Sequence, residues 1–227
     1  MKHKIKLLLV TAFVTSTAGL YAQNIFFPTK TGTVLLFAQK DNSGEINGYL
    51  QQTLNAVEGS NDSMTISYLY ESMDKHQKTL VEVPCKMLIK DGLMIFDLKY
   101  PFVGKLKSSN ERIIDVTGTP LQFPNNLMPG ETLKDAHMVA NIGRGIINVH
   151  VDVSMTDGKC VGIEEITVPA GTFKSHKITQ TVTITKLGST DHTHVISWGA
   201  PNVGIVKSET YDSKNQLLNS MELVEMK

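Results

Sequence analysis

From Thr33 onward the sequence is a succession of short segments rich in Val, Ile, Thr, Tyr and Phe, each stopped by a cluster of Gly, Asn, Asp or Ser. β-branched and aromatic residues suit a pleated, half-buried surface, and the clusters between them are turn material, so the pattern reads as strand after strand. Ile147, Val149, Val151 and Val153 alternate with Asn148, His150, Asp152 and Ser154, the cleanest half-buried strand of the chain. Asp91-Gly92 is a two-residue hairpin signal, and Asp157-Gly158 reads as another turn. No long helix is expected. The prediction is an all-β fold, an antiparallel meander of about 11–12 strands. Such a set must form a barrel or a two-sheet clam or sandwich to bury its apolar faces.

Pro101, Pro120, Pro124 and Pro129 interrupt the pattern between residues 100 and 135, where Asn125-Asn126 and Pro129-Gly130 add turn pairs. Proline lacks the donor a ladder needs, so 100–135 is expected to be an irregular crossover joining two strand-rich parts, 23–99 and 136–227. That crossover could serve as a lid.

The first 22 residues have a different character. Lys2, Lys4 and Lys6 precede an apolar run from Ile5 to Val14, small residues follow, and Ala22 stands where a signal peptidase cuts. Residues 1–22 are expected to be a signal peptide cleaved after Ala22, leaving 23–227 as an exported β domain, because the run is too short to span a bilayer. The expected location is the periplasm or the outer-membrane surface. Whole, the chain balances 22 basic against 22 acidic side chains; removing 1–22 takes away three lysines and no acid, for a formal net charge of −3. A slightly acidic chain has no attraction for phosphate polymers, so no nucleic-acid partner is expected, nor a membrane-spanning segment.

Residues that could carry chemistry are sparse. Cys85 and Cys160 are 75 residues apart, and export permits a disulfide between them, although each also suits a buried apolar position. His192 and His194 would share a strand face, but no further ligand stands at metal spacing, so neither metal nor cofactor is expected. No nucleophile elbow is present, and Glu164 and Glu165, adjacent in a strand, point to opposite faces, so enzyme function is not favoured. Aromatics at polar junctions remain as candidate contacts for a lipid tail or sugar ring, with Trp198, Phe173, Phe102 and Tyr100 the residues chosen and Tyr68 and Tyr70 read as packing.

Three segments in order carry a resemblance: Met128-Pro129-Gly130-Glu131-Thr132-Leu133, Val168-Pro169-Ala170-Gly171-Thr172-Phe173, and Trp198-x-Ala200-Pro201-x-Val203-Gly204. Over residues 128–226 they resemble a group of exported Gram-negative proteins known only as a domain of unknown function. The resemblance implies an uncharacterised periplasmic or outer-membrane-associated β domain. The functional expectation is a non-enzymatic binding module for an apolar or glycan ligand. The alternative is an envelope protein that recruits a partner through an exposed strand edge, and a hydrolase comes third.

Overall fold

The computed structural model describes residues 25–60, 63–103, 111–144 and 146–227; the expected signal peptide lies outside the described residues. The fold is all-β: a single antiparallel sheet of thirteen strands curled into a half-barrel. In chain order the strands are β1 (Val34–Asp41), β2 (Ile46–Ser60), β3 (Ser63–Met73), β4 (Thr79–Lys90) and β5 (Leu93–Phe96). After one helical turn, α1 (Tyr100–Val103), come β6 (Glu111–Thr119), β7 (Gln122–Pro124), β8 (Ala136–Arg144), β9 (Ile147–Val168) and β10 (Gly171–Lys186). The last are β11 (Ser189–Ala200), β12 (Gly204–Tyr211) and β13 (Leu217–Met226). Across the sheet the order is β6-β8-β9-β10-β11-β12-β13-β1-β2-β3-β4-β5-β7, so the strands of 23–99 and 136–227 share one ladder, joined where β1 pairs with β13.

The turns follow from their residues. Asp91 and Gly92 both have positive φ, 52° and 75°, and close the β4–β5 hairpin as a two-residue turn. Three other hairpins repeat one device, in which an aspartate accepts backbone N–H groups two and four residues on. Asp41 holds Ser43 and Glu45, Asp74 holds His76 and Lys78, and Asp212 holds Lys214 and Gln216. These bonds keep the Asp41 and Asp74 carboxyls below their ordinary range, led at Asp41 by the Ser43 hydroxyl and at Asp74 by the Lys78 N–H.

Two expectations change. Asp157-Gly158 is a bulge within β9 rather than a turn: Asp157 takes φ 55°, the register against β10 shifts there, and the strand runs on to Val168. Segment 130–133 lies against this bulge, with the Leu133 N–H on the Gly158 carbonyl at 2.8 Å. The stretch 100–135 is also more regular than its prolines suggest. It holds α1, β6 and β7, because Glu111–Thr119 has a full antiparallel partner in β8 and Pro124 ends the edge strand, where no donor is needed.

β6 and β7 stand at opposite ends of the sheet, yet only Pro120 and Leu121 separate them. Three residue steps span at most about 11 Å, so the sheet must curl until its two ends meet at this link. The concave side receives the alternate residues of each strand: Ile66, Tyr68 and Tyr70 of β3 and Val83, Cys85, Met87 and Ile89 of β4 are all buried. The chain before β1 enters the same core through Ile25, Phe26 and Phe27, and α1 inserts Phe102, which is fully buried.

Candidate ligand cavity

The curl leaves a cavity of about 550 Å³ on the concave side. One wall comes from β1–β3, β5, β7, α1 and the segment before β1, and it is aromatic: Phe27, Phe37, Tyr70, Phe96, Tyr100 and Phe123. Its rings pack on one another edge-on or tilted, with centroids 5.0 Å apart for Phe96–Tyr100, 5.8 Å for Phe96–Phe123 and 5.9 Å for Tyr70–Tyr100. Burial lifts the Tyr70 hydroxyl well above its usual pKa and pushes Tyr100 up to about 12, so both phenols are neutral.

The facing wall comes from β9–β12 and is aliphatic with hydroxyl and amide rungs. Val153, Ile178 and Val182 are buried, while Gln180, Val195, Ser197, Ser208 and Thr210 are half-buried. The register explains the layering. Ile178 stands opposite Ser197, Ser197 opposite Ser208, Ser208 opposite Met221 and Met221 opposite Gln39, a row across five strands. The next row outward passes through Gln180, Val195, Thr210 and Asn219, so polarity rises toward the Asn219 end. Lys40 is the charged residue of the lining, and its ammonium is paired with the Glu222 carboxylate. No carboxylate, imidazole or thiol lines the cavity among the described residues.

Of the four aromatics singled out in the sequence, Tyr100 lines this cavity. Phe102 lies in the packed core behind it, and Phe173 packs half-buried near the Gly171 turn. Trp198 lies on the convex face, since its neighbours Ser197 and Gly199 point into the cavity. There the indole N–H donates to Glu164, and the ring lies between the ammonium groups of Lys177 and Lys207, 5.4 and 5.0 Å from its centroid. That indole bond, with Lys177 at 3.4 Å, holds the Glu164 carboxyl below its ordinary value. Beside them Glu209 pairs with Lys207 at 2.7 Å and accepts the Tyr211 hydroxyl at 2.6 Å.

Sequence reasoning missed Phe27, Phe37 and Phe123, and also Gln52, an amide set in the row Leu50-Gln52-Leu54 of β2. A polar residue interrupting an apolar alternation was the signal available for it. The two cysteines are not bridged: Cys85 on β4 and Cys160 on β9 are separately buried free thiols. Burial pushes Cys85 up to about 12 and raises Cys160. His192 bonds Thr183 at 3.0 Å, and no group of three His, Cys, Asp or Glu suited to a metal occurs among the described residues.

A curled antiparallel half-barrel around an apolar cavity is the class of protein that fold and cavity define. The chain belongs to the DUF3108-like family, whose model matches residues 30–223. Two solved structures share the fold. One is a Bacteroides fragilis protein assigned as exported and described as having a YmcC-like fold, with a TM-score of 0.77 at 21% identity over 89% of this chain and 99% of that one. The other, from Parabacteroides distasonis and assigned as a lipoprotein, has a TM-score of 0.78 at 23% identity over 89% of this chain and 98% of its own. No curated protein matches the chain.

Proposed function

We propose that this chain is a non-enzymatic binding protein of the cell envelope that holds an apolar, lipid-like ligand in the cavity of its half-barrel. The observation that carries the reading is the cavity itself. About 550 Å³ suits a small-molecule site, and its walls are mostly apolar with a few amides and hydroxyls placed among them. The wall aromatics meet each other edge-on or tilted rather than lying flat and open, which favours a chain over a sugar ring. The envelope location draws support from the lysine-led apolar leader and from the assignments of the two structural relatives as exported protein and lipoprotein. No helix among the described residues is long and apolar enough to cross a membrane.

The recruiting-edge alternative has less support. One edge of the sheet is β6, which pairs with β8; the other is Thr79–Lys86 of β4, which extends beyond β5 because β5 pairs only with Met87–Lys90. That edge is already blunted: Pro84 has no N–H, its carbonyl takes the Lys99 ammonium, and the Lys86 N–H is held by Asp97. The hydrolase reading would need two converging carboxyls, which the cavity lining does not supply among the described residues.

The test is a fluorescence titration of detergent-free protein with the neutral probe N-phenyl-1-naphthylamine. Saturable enhancement at one site per chain, reversed by a long-chain neutral lipid, is the expected result. A folded protein that gives no saturable enhancement would overturn the proposal.

A further inference from the structure

One polar group in the cavity wall is not used by the fold. Gln52 lies on β2 opposite Leu35 of β1 and Tyr70 of β3, with Leu50 and Leu54 on either side of it along the strand. It is 3% exposed, it lines the cavity, and its amide nitrogen has no hydrogen-bond partner among the described residues. Burying an amide unpaired is unfavourable, and a methionine or leucine here would avoid that cost while filling the same space. The neighbouring Tyr68, whose ring centroid is 5.2 Å from that of Tyr70, has a hydroxyl equally without partner. Two unmet donors therefore gather on the aromatic side, and of the two it is Gln52, at the deep end, that lines the cavity.

The depth narrows the chemistry. Gly48, four residues before Gln52, stands opposite Gln39 in the row where polarity begins to rise, so Gln52 lies about 13 Å further in along the strand. A ligand whose polar group stayed at the rim would not reach it. Lys40, the lining cation, is near that rim and already paired with Glu222, so a carboxylate inserted as far as Gln52 would lack a counter-charge. The acceptor that fits is neutral. The terminal torsion of glutamine is broad, which lets the amide turn its N–H toward the lumen without leaving a favoured rotamer.

Building on the reading of the cavity as an apolar site, we infer that Gln52 is the recognition group for a neutral carbonyl compound with an apolar chain. Such a ligand, an ester, amide or ketone, enters carbonyl end first, accepts the Gln52 N–H and extends its chain toward the Gln39 row.

The experiment measures displacement of N-phenyl-1-naphthylamine by undecan-2-one and by undecane, in the native protein and in Gln52→Met. The expected result is that the substitution weakens the ketone about tenfold relative to the alkane, the effect of one hydrogen bond to a buried amide. In the native protein the infrared carbonyl stretch of bound undecan-2-one should also lie below its position in hexane. Equal shifts for the two ligands, or a bound carbonyl stretch matching hexane, would overturn the assignment of Gln52 and leave the apolar site standing. Failure of both ligands to displace the probe from folded native protein would remove the apolar site and this inference together. Should Gln52→Met not fold, the infrared position in the native protein decides alone.

Discussion

The two walls of the cavity do different work. On the β1–β5 side the inward residues are large, ring-packed and nearly all buried, so each is supported by neighbours on every side. On the β9–β12 side the inward residues are smaller, half-buried apart from Val153, Ile178 and Val182, and mixed with Ser, Thr and Gln. The first wall belongs to the core that holds the sheet in its curl. The second faces open volume, and its side chains can change with little loss of packing.

Truncation gives the widest separation between them. Phe27 is 3% exposed and packs on Tyr68 and Phe96, so Phe27→Ala should cost about 3–5 kcal/mol in urea unfolding. Val195→Ala on the facing wall should cost about 1 kcal/mol or less, because that side chain is only partly buried and borders the cavity. Equal losses would mean that the second wall is core as well.

Enlargement should keep the same contrast in stability and add one in binding. Leu54 is 1% exposed and is not among the residues that line the cavity, so Leu54→Phe overpacks and should cost about 1–3 kcal/mol. Ser197→Phe has the cavity to grow into. Its stability should change by less than about 1 kcal/mol while affinity for the neutral naphthylamine falls at least about tenfold, read from unfolding and probe titration on the same samples.

The smallest effect belongs to the convex face behind the second wall. Trp198 is the single tryptophan of the chain, and its N–H bond lowers the pKa of Glu164 from the ordinary 4.5 of a glutamate. A depressed carboxyl adds stability that is present above 4.5 and lost as pH falls through the lower folded value. Trp198 emission should therefore step with a midpoint below 4.5, and Glu164→Gln should abolish the step. Glu164 is largely solvent-exposed, so the stability at stake is only a few tenths of a kcal/mol and probe binding should not change. A change in probe binding would mean that the two faces of β11 communicate.

Much of the architecture was legible because it is written locally. Alternation located the strands, and an aspartate or glycine at each break explained the hairpins at Asp41, Asp74, Asp91 and Asp212. What escaped was what depends on distant partners. Asp157-Gly158 has the composition of a turn and becomes a bulge because β10 continues alongside it, and Glu111–Thr119 becomes a strand because β8 is there to pair with it. The cavity residues were hard for the same reason: which face of β1 points inward cannot be told from Leu35-Leu36-Phe37-Ala38, apolar on both sides. Trp198 drew attention as an aromatic at a polar junction, but one residue of strand parity puts it on the face away from the cavity.

The pairing of β1 with β13 ties the order of synthesis to the order of folding. Leu35 meets Met226 in the middle of the sheet, so neither half has its central neighbour until nearly all of the chain between them has appeared. Until then β1 and β12, paired with β2 and β11, each present one unpaired edge, and closure must wait on contacts of the longest sequence separation, the slow kind. A chain that emerges gradually would thus pass through a stage with two sticky edges, and a holdase would have its greatest effect in that interval.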